Sequence, residues 1–303
     1  MTWFWLALSA QFLFSAGAHI DKYLISKYLK GAAPGSLIIF SSLFGFVVMP
    51  VAYVIHPNVL EISLSHVGIL VGGGFLNITA IVLYLYALSR DEASVVAPLF
   101  QMIPIFSYAL AFFILRETLS AQQMLGAGLI ICGAVFVSLD LDLKKFKVVV
   151  FALMALASLF LALNGVVFKM VALEDSFWVS TFWSYASLAL AGVILFSFVP
   201  SYRGQFLRTL RLNQASVVGV NALNEVIAVV GYVMISYASL LAPVALVSVV
   251  AGFQPLMVFL MGWLLTAAFP HLGKERLSRK QVVQKAVAIA IVFLGTFLLH
   301  AGT

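Results

Sequence analysis

Nine stretches of this chain contain no Asp, Glu, Lys or Arg, and they are 18 to 48 residues long. A helix needs about 20 apolar residues to cross the hydrocarbon core of a bilayer, so stretches of this length are typical of membrane spans. Only 9% of the residues are charged and the mean hydropathy is +1.12. That composition excludes a water-soluble globular domain, in which about 25% of residues are charged. The stretches are 1–20, 31–60, 62–89, 93–115, 118–139, 148–168, 176–202, 226–273 and 286–303.

The stretch 226–273 is too long for one span, because a helix of that length would measure roughly 72 Å at 1.5 Å per residue. It must break, and Leu240 to Pro243 is the natural place. We therefore predict an all-α membrane protein with ten transmembrane helices. The predicted helices are 3–27, 34–55, 66–89, 93–115, 120–139, 147–171, 177–199, 214–238, 241–267 and 281–301.

An internal duplication divides these helices into two sets of five. Residues 93–99 read Ala-Ser-Val-Val-Ala-Pro-Leu, and residues 238–244 read Ala-Ser-Leu-Leu-Ala-Pro-Val. Further marks recur in the same order, with 116–120 matched by 274–278. Because five is odd, the second copy must enter the membrane from the opposite side, as in carriers with inverted repeats. We predict two inverted five-helix repeats, 1–142 and 143–303, with the substrate site between them.

Basic residues lie mainly in the odd-numbered connectors between the predicted helices, whereas the even-numbered ones hold essentially Arg116. By the positive-inside rule, the odd connectors face the cytoplasm and both termini face outward. We therefore interpret the net charge of +6 as a sign of how the chain is oriented in the membrane, and not as a sign of nucleic-acid binding. Residues 14–22 resemble residues 161–169, so the first segment is expected to be an uncleaved helix and not a signal peptide. The predicted location is the cytoplasmic (plasma or inner) membrane.

Short motifs follow one another in the same order in both copies. The first copy contains Tyr86-Ala87-Leu88-Ser89, Ala93-Ser94, Ala97-Pro98, Pro104, Glu117, Leu119-Ser120, Gly126-Ala127-Gly128-Leu129-Ile130 and Gly133. The second contains Ala238-Ser239-Leu240-Leu241-Ala242-Pro243, Gln254-Pro255-Leu256, Lys274-Glu275-Arg276-Leu277-Ser278 and Gly295. This order resembles the EamA-type repeat of the drug/metabolite transporter superfamily. The resemblance implies ten helices in two inverted halves, a central cavity and alternating-access transport of small metabolites or drugs, but no particular substrate. Relatives commonly place their termini in the cytoplasm, opposite to the orientation that the charges of this chain predict.

Glu225 is the carboxylate that we place nearest the bilayer centre, halfway along the helix predicted at 214–238. An apolar environment disfavours the ionised form of a carboxyl group, and acids within membranes are candidate proton carriers or cation-binding groups. Asn221 and Tyr232 share its helix face, four residues before it and seven after it. Glu225 is thus the proton-coupling candidate. The alternative is structural: a protonated Glu225 held by Asn221 or by a neighbouring helix.

Lys22 and Lys169 occupy matching positions near the ends of helices one and six. They are candidate charged gates. They could bind an anionic substrate, or they could form ion pairs with acids, and these pairs would be gates that open alternately. The alternative, favoured by the sequence, is snorkelling, in which the stem lies in lipid and the ammonium reaches the headgroups. His19, close to Lys22, could titrate near neutral pH or simply make a hydrogen bond.

Uncharged polar residues near mid-span are candidates for lining a substrate cavity, where amides and phenols orient a ligand between apolar walls. Hydrogen bonds between helices would use the same residues. Asn77, Tyr84 and Gln101 are the first choices. Trp183 and Tyr185 could provide a stacking wall for an aromatic or cationic ligand. The complete set of cavity candidates is His19, Asn77, Tyr84, Gln101, Asn164, Trp183, Asn221, Tyr232 and Gln254.

Signatures of enzymes are missing from the sequence, which contains no His-Glu-x-x-His pair, no Walker-type glycine loop and no Gly-x-Ser-x-Gly elbow. Cys132 is the only cysteine, which excludes intramolecular disulfides and cysteine-based metal clusters. We predict no enzyme, cofactor or metal, but a secondary active transporter of a small organic solute, with export favoured and protons as candidate coupling ions. The alternatives are a facilitator or exchanger of the same fold, a flippase for a lipid-linked amphiphile and a non-transporting scaffold subunit. The expected partners are the solute and the lipid bilayer but not nucleic acid, with the chain a monomer or a homodimer.

Overall fold

The computed structural model describes residues 2–27, 35–90, 96–138, 148–212, 215–268 and 279–301. Within these ranges the regular secondary structure is helical and includes no strand, as predicted. The helices are α1 (Thr2–Lys27), α2 (Gly35–Leu43), α3 (Gly45–Ile55), α4 (Leu64–Leu88), α5 (Ile103–Ile114), α6 (Ala121–Ser138), α7 (Val148–Glu174), α8 (Phe177–Phe198), α9 (Pro200–Leu212), α10 (Ala215–Leu241), α11 (Val244–Val249), α12 (Gln254–Ala268) and α13 (Arg279–Ala301). Short 3-10 turns cover Pro57–Leu60, Ala97–Met102 and Val250–Phe253.

Six helical segments of the described chain are long and apolar enough to cross a membrane. Shorter apolar helices cover Leu99–Ile114, Ala121–Phe136 and Ala286–Leu299. Because apolar helices of this length need lipid or protein around them, the chain is a multi-pass membrane protein. The six segments are Ile38–Ile55, Leu64–Ala87, Val148–Glu174, Phe177–Phe198, Val218–Leu241 and Val244–Gly262.

The predicted break in the longest apolar stretch is confirmed. Helix α10 ends at Leu241 and α11 begins at Val244, with Pro243 extended between them at φ −52° and ψ 135°. Proline has no amide hydrogen and prevents the preceding residue from continuing a helix. The span predicted at 34–55 contains an interruption at Phe44, between α2 and α3, where φ and ψ stay helical (−62° and −18°). That interruption was not predicted.

Helix α9 is a further element that the sequence analysis did not predict. It fills the connector between the apolar helices α8 and α10 and carries three arginines in 13 residues. It packs against α2 and α8. Long apolar stretches indicate helices that cross the bilayer. An amphipathic helix such as α9 has no such stretch, so this criterion does not identify it.

The core lies between helices of the two halves, because the most extensive contacts join α13 to α6, α4 to α7 and α1 to α10. Glycines permit the closest approaches. A Cβ atom at Gly126 would lie 2.7 Å from the carbonyl oxygen of Gly295, and one at Gly295 would lie 2.7 Å from that of Gly126. On α4, Gly74 faces Ser187 of α8, whose hydroxyl donates to the Val71 carbonyl at 2.8 Å. Small residues let membrane helices pack this closely.

Candidate functional site

The break between α10 and α11 exposes main-chain polar groups inside the helix bundle. The carbonyl of Ala242 and the amide of Val244 flank Pro243 there, and all of Ala242, Val244 and Ala245 are buried. Buried main-chain groups that lose their helical partners need others, because an unpaired one costs about as much as a lost hydrogen bond. The structure supplies these partners from two charged side chains.

The first of these side chains is Glu117, which lies just after α5. Arg116, the residue before it, has a left-handed φ of 57°, a conformation that turns the chain sharply and is uncommon outside glycine. The amide of Glu117 donates to the Ala111 carbonyl at 3.2 Å. Its carboxylate Oε2 accepts the Val244 amide hydrogen at 2.8 Å. A connector of the first half thus caps the helix that begins after the break in the second.

The second is Lys169 on α7. Its Nζ lies 2.5 Å from Oε1 of Glu117 and donates to the Ala242 carbonyl at 2.8 Å. Only 7% of the lysine side chain and 14% of the glutamate side chain are exposed. The ammonium is therefore held inside the protein, and the snorkelling interpretation of Lys169 is wrong. Lys169 is paired with an acid, and its role as a gate remains a prediction.

We call this arrangement the clamp: Lys169, Glu117, the Ala242 carbonyl and the Val244 amide. Removing two charges from water is expensive, and only close geometry with further hydrogen bonds compensates for it. Each oxygen of Glu117 has a short donor contact and Lys169 has two acceptors, so the clamp meets that requirement. Lys22 is the predicted counterpart of Lys169, but its side chain lies outside the described residues. The segment 269–278, which contains the counterpart of the Glu117 connector, also lies outside them.

A second charged group lies at the same end of α7. His66, at the start of α4, contacts Asp175 from Nδ1 at 2.6 Å and Glu174 from Nε2 at 3.3 Å. Glu174 is the last residue of α7, five residues after Lys169. In the orientation predicted from the basic residues, this end of α7 is the outer one. Contacts from the last part of α7 and the residue after it therefore reach both Glu117, just after α5, and His66 of α4.

Glu225 lies where α10 meets α2 and α8. Its Oε1 accepts a hydrogen bond from the Ser41 hydroxyl of α2, and its carboxyl group interacts electrostatically with the phenols of Tyr185 on α8 and Tyr232 on α10. The Tyr232 ring in turn lies 4.9 Å from that of Phe14 on α1. A hydroxyl from a neighbouring helix thus reaches Glu225, as the structural alternative expected, while an ionisable group remains among several polar ones. Its proton-coupling role stays a prediction.

Asn221 lies one turn before Glu225 on α10 and is half-buried, so the predicted shared face of Asn221, Glu225 and Tyr232 is found within one helix. Gln254 is half-buried at the start of α12, where its carbonyl accepts from Ser15 at 3.4 Å. Neither position conflicts with a cavity role, which remains a prediction for both.

Three other candidates make contacts of the kind that hold helices together. His19 Nε2 lies 3.0 Å from the Val258 carbonyl of α12, and the Trp183 indole N–H donates to the Val59 carbonyl at 2.9 Å. The side chain of Asn164 packs over Gly73, where an added Cβ would lie 2.7 Å from its Oδ1. These contacts are of the kind expected if the polar residues join helices, which is the alternative to a cavity role that the sequence left open.

The three first choices for the cavity lie in different surroundings. The ring of Tyr84 lies 5.0 Å from that of Phe100, tilted by 45°, beside a buried apolar cluster, and Asn77 is half-buried on α4. Gln101 is 8% exposed, and its Oε1 has no hydrogen-bond partner among the described residues. A buried amide oxygen without a hydrogen-bond donor lowers the stability of the fold. Of the three residues, Gln101 is therefore the strongest candidate for contact with water or a ligand.

The sequence analysis did not propose Glu117 or Ser41 as site residues. Glu117 left a signal, because a lysine as deep as Lys169 requires an acid and Glu117 belongs to a motif shared by both copies. Nothing in the sequence indicated Ser41, since serine is common in apolar helices. No group of three or more His, Cys, Asp or Glu side chains that could hold a metal occurs in the described part of the chain.

Comparisons with known proteins agree with this architecture. Residues 1–139 match the model of the EamA-like transporter family. A solved crystal structure of a protein 17% identical to this chain superposes with a TM-score of 0.70, covering 99% of this chain and 98% of that one; the two share a fold. An uncharacterized protein of Methanocaldococcus jannaschii is 41% identical over 63 residues, which are 21% of this chain and 45% of that protein. The chain thus matches about half the length of that relative.

Proposed function

We propose that this chain, whose residues 1–139 match the model of the EamA-like transporter family, is a secondary transporter that moves a small organic solute by alternating access. The clamp is the observation that carries the proposal. It is a buried ion pair between the two halves, positioned at a helix break near one membrane face. A contact of this kind has two discrete states, made and broken, as a gate requires.

Two inverted five-helix repeats account for the way the helices pair. If residues 1–142 and 143–303 are exchanged, α1 corresponds to α7 and α4 to α10. The pair α1 with α10 then becomes α7 with α4, and both pairs pack extensively. The pair α6 with α13 maps onto itself. This regularity supports ten spans in two repeats, which an odd number of spans makes inverted.

One pair departs from this regularity. Helix α4 packs extensively on α8, with Gly74 against Ser187. The counterpart, α10 against α2 and α3, is not among the extensively packed pairs of the described residues. In a carrier with inverted repeats, unequal packing of equivalent helix pairs marks a conformation open to one side. We infer that the protein is closed at the clamp end and packed more loosely, as on an open side, between α10 and α2, where the Ser41–Glu225 hydrogen bond still joins the two helices.

Glu225 lies on the loosely packed side, where the Ser41 hydroxyl of α2 donates a hydrogen bond to it. We propose that a proton or a cationic group of the solute competes for this carboxyl group, and that the competition couples solute movement to the proton gradient. Export is the proposed direction. In the orientation predicted from the basic residues, the open side faces the cytoplasm, which suits loading from within.

The test is flux into proteoliposomes under an imposed pH gradient, measured with radiolabelled amino acids, nucleosides and organic cations. For any compound that wild-type protein accumulates uphill, we expect Glu225→Gln to abolish accumulation but to retain exchange. Glu61→Gln is the matched control, because Glu61 is exposed between α3 and α4 and, among the described residues, its side chain accepts a hydrogen bond from Asn58 at 3.1 Å. Full uphill flux in Glu225→Gln would refute proton coupling and leave an exchanger or facilitator. No flux of any compound would favour a scaffold.

A flippase for a lipid-linked amphiphile is the less supported alternative. Such a protein needs a cation near one headgroup layer to hold the lipid phosphate, for which Lys22 or Lys169 would serve. The side chain of Lys22 lies outside the described residues, and the ammonium of Lys169 is engaged by Glu117 and by the Ala242 carbonyl inside the bundle.

A further inference from the structure

Helix α9 is an amphipathic helix between two apolar helices, and we infer that it binds the headgroup of an anionic phospholipid. It begins at Pro200, two residues after α8 ends, and α10 starts three residues beyond Leu212. Connectors this short leave α9 little distance from the bilayer. Since α8 and α10 both have the length and apolarity of spans, α9 lies at the membrane surface.

The charge of α9 has one sign. Arg203, Arg208 and Arg211 lie on it, and the sequence contains no Asp or Glu between Asp175 and Glu225. None of the three arginines forms an ion pair with a residue that the structure describes. An uncompensated guanidinium cluster attracts phosphate, which it binds through paired N–H groups in a fixed geometry.

Two of these arginines line a surface groove with a volume of about 370 Å³, together with Gly204 and Leu207. Gly204, Arg208 and Arg211 are spaced by four and three residues and so share one helix face. An added Cβ at Gly204 would meet no atom within 4 Å, so the groove is open at that point. Arg208 and Arg211 are both exposed and can turn their guanidinium groups toward a ligand in it.

The opposite side of α9 is fixed to the protein. Phe206 contacts Phe196 of α8 with ring centroids 6.0 Å apart, and Tyr202 lies against Gly35 at the start of α2. This anchoring fixes which face of α9 is turned away from the bundle. Leu207 and Leu210 are 37% and 40% exposed beside the arginines. Apolar residues next to basic ones are typical of helices that lie in the headgroup layer.

The leucines identify a lipid as the source of the phosphate, because free phosphate would gain nothing from apolar neighbours. The basic residues predict that this connector faces the cytoplasm. The cytoplasmic leaflet carries anionic lipids, which attract basic segments close to the membrane. The ligand class is therefore an anionic phospholipid such as phosphatidylglycerol, with its phosphate between Arg208 and Arg211 and its chains along Leu207 and Leu210.

The experiment is native mass spectrometry of the detergent-solubilised full chain during titration with phosphatidylglycerol or phosphatidylcholine. We expect wild-type protein to bind phosphatidylglycerol in preference. From the usual contribution of one basic residue at a membrane surface, Arg208→Gln should weaken binding about fivefold, and Arg208→Gln with Arg211→Gln about 30-fold. Arg203→Gln is the matched control, because it removes the same charge from the same helix but not from the groove.

The outcomes separate the groove from general attraction. A larger loss in Arg208→Gln than in Arg203→Gln supports the site. Equal losses in the two variants, or equal binding of the two lipids by wild-type protein, would overturn it. Competition by inorganic phosphate at the concentration of the lipid would also overturn it, since the ligand would then be the free anion. Unchanged circular dichroism in each variant establishes that the helices remain folded.

Discussion

Replacing Glu117 by Gln should destabilise the protein more than any other single removal of an acid discussed above. The substitution keeps the shape of the side chain and an oxygen that can still accept from the Val244 amide. It removes the negative charge 2.5 Å from Lys169 Nζ and leaves that ammonium with the Ala242 carbonyl alone. The protein would then contain a buried cation without a counter-charge.

The magnitude follows from burial. The side chains of Lys169 and Glu117 are 7% and 14% exposed, so water cannot replace the lost partner. Removing one member of a buried ion pair typically costs about 3–5 kcal/mol, and we expect Glu117→Gln and Lys169→Met each to lower the free energy of unfolding by that amount. Combining them removes both charges, and the double variant should be no less stable than the more stable of the two single variants.

The free energy of unfolding can be measured by titrating dodecyl maltoside micelles with sodium dodecyl sulfate and following tryptophan fluorescence. Glu174→Gln is the control, because Glu174 contacts His66 at 3.3 Å with 61% of its side chain exposed. Exposed pairs contribute about 0–1 kcal/mol, so that variant should unfold almost as wild type does.

Two results would refute this reasoning. One is an effect of Glu117→Gln no larger than that of Glu174→Gln, which would mean that the clamp does not stabilise the fold. The other is a double variant as unstable as the sum of the single ones, because independent losses exclude coupling between Glu117 and Lys169.

Three further substitutions can be followed by the same titration. Gly126→Ala should lower the free energy of unfolding by about 1–3 kcal/mol, because its Cβ would lie 2.7 Å from the Gly295 carbonyl oxygen; Gly128→Ala, which meets no atom within 4 Å, should instead be neutral or stabilising by up to about 1 kcal/mol, and equal effects would contradict the packing. Trp183→Phe should cost about 1 kcal/mol through loss of the 2.9 Å bond to the Val59 carbonyl, and an unchanged stability would mean that this bond contributes nothing.

The course of the helices could largely be read from the sequence. Helices α4 and α8 lie within two residues of the predicted spans 66–89 and 177–199, because charged or polar connectors bound the apolar stretches. The break at Pro243 followed from length and from the missing amide hydrogen. Helix α9 could not be found in this way, since its polarity resembles that of an ordinary connector and its helical form depends on contacts with α2 and α8.

The partners of the polar residues were much harder to predict. The sequence placed Glu225 and Tyr232 on one face of α10, because that relation depends only on helix period. It did not place Ser41 beside Glu225, or Glu117 beside Lys169, because both contacts depend on how helices distant in the chain are packed together. For Lys169 the choice between snorkelling and pairing depended on such a contact, and the sequence analysis favoured the wrong alternative.

The clamp binds the repeated heptad through main-chain atoms only, the carbonyl of Ala242 and the amide of Val244. Replacement of either side chain by another small residue would leave both atoms in place, whereas Pro243 sets the geometry in which they are free to bind. In the proposed mechanism, the contact that holds the gate closed thus depends on main-chain atoms, whereas the solute is selected by side chains at other positions. Substitutions that change the preferred solute can then accumulate while this contact stays intact.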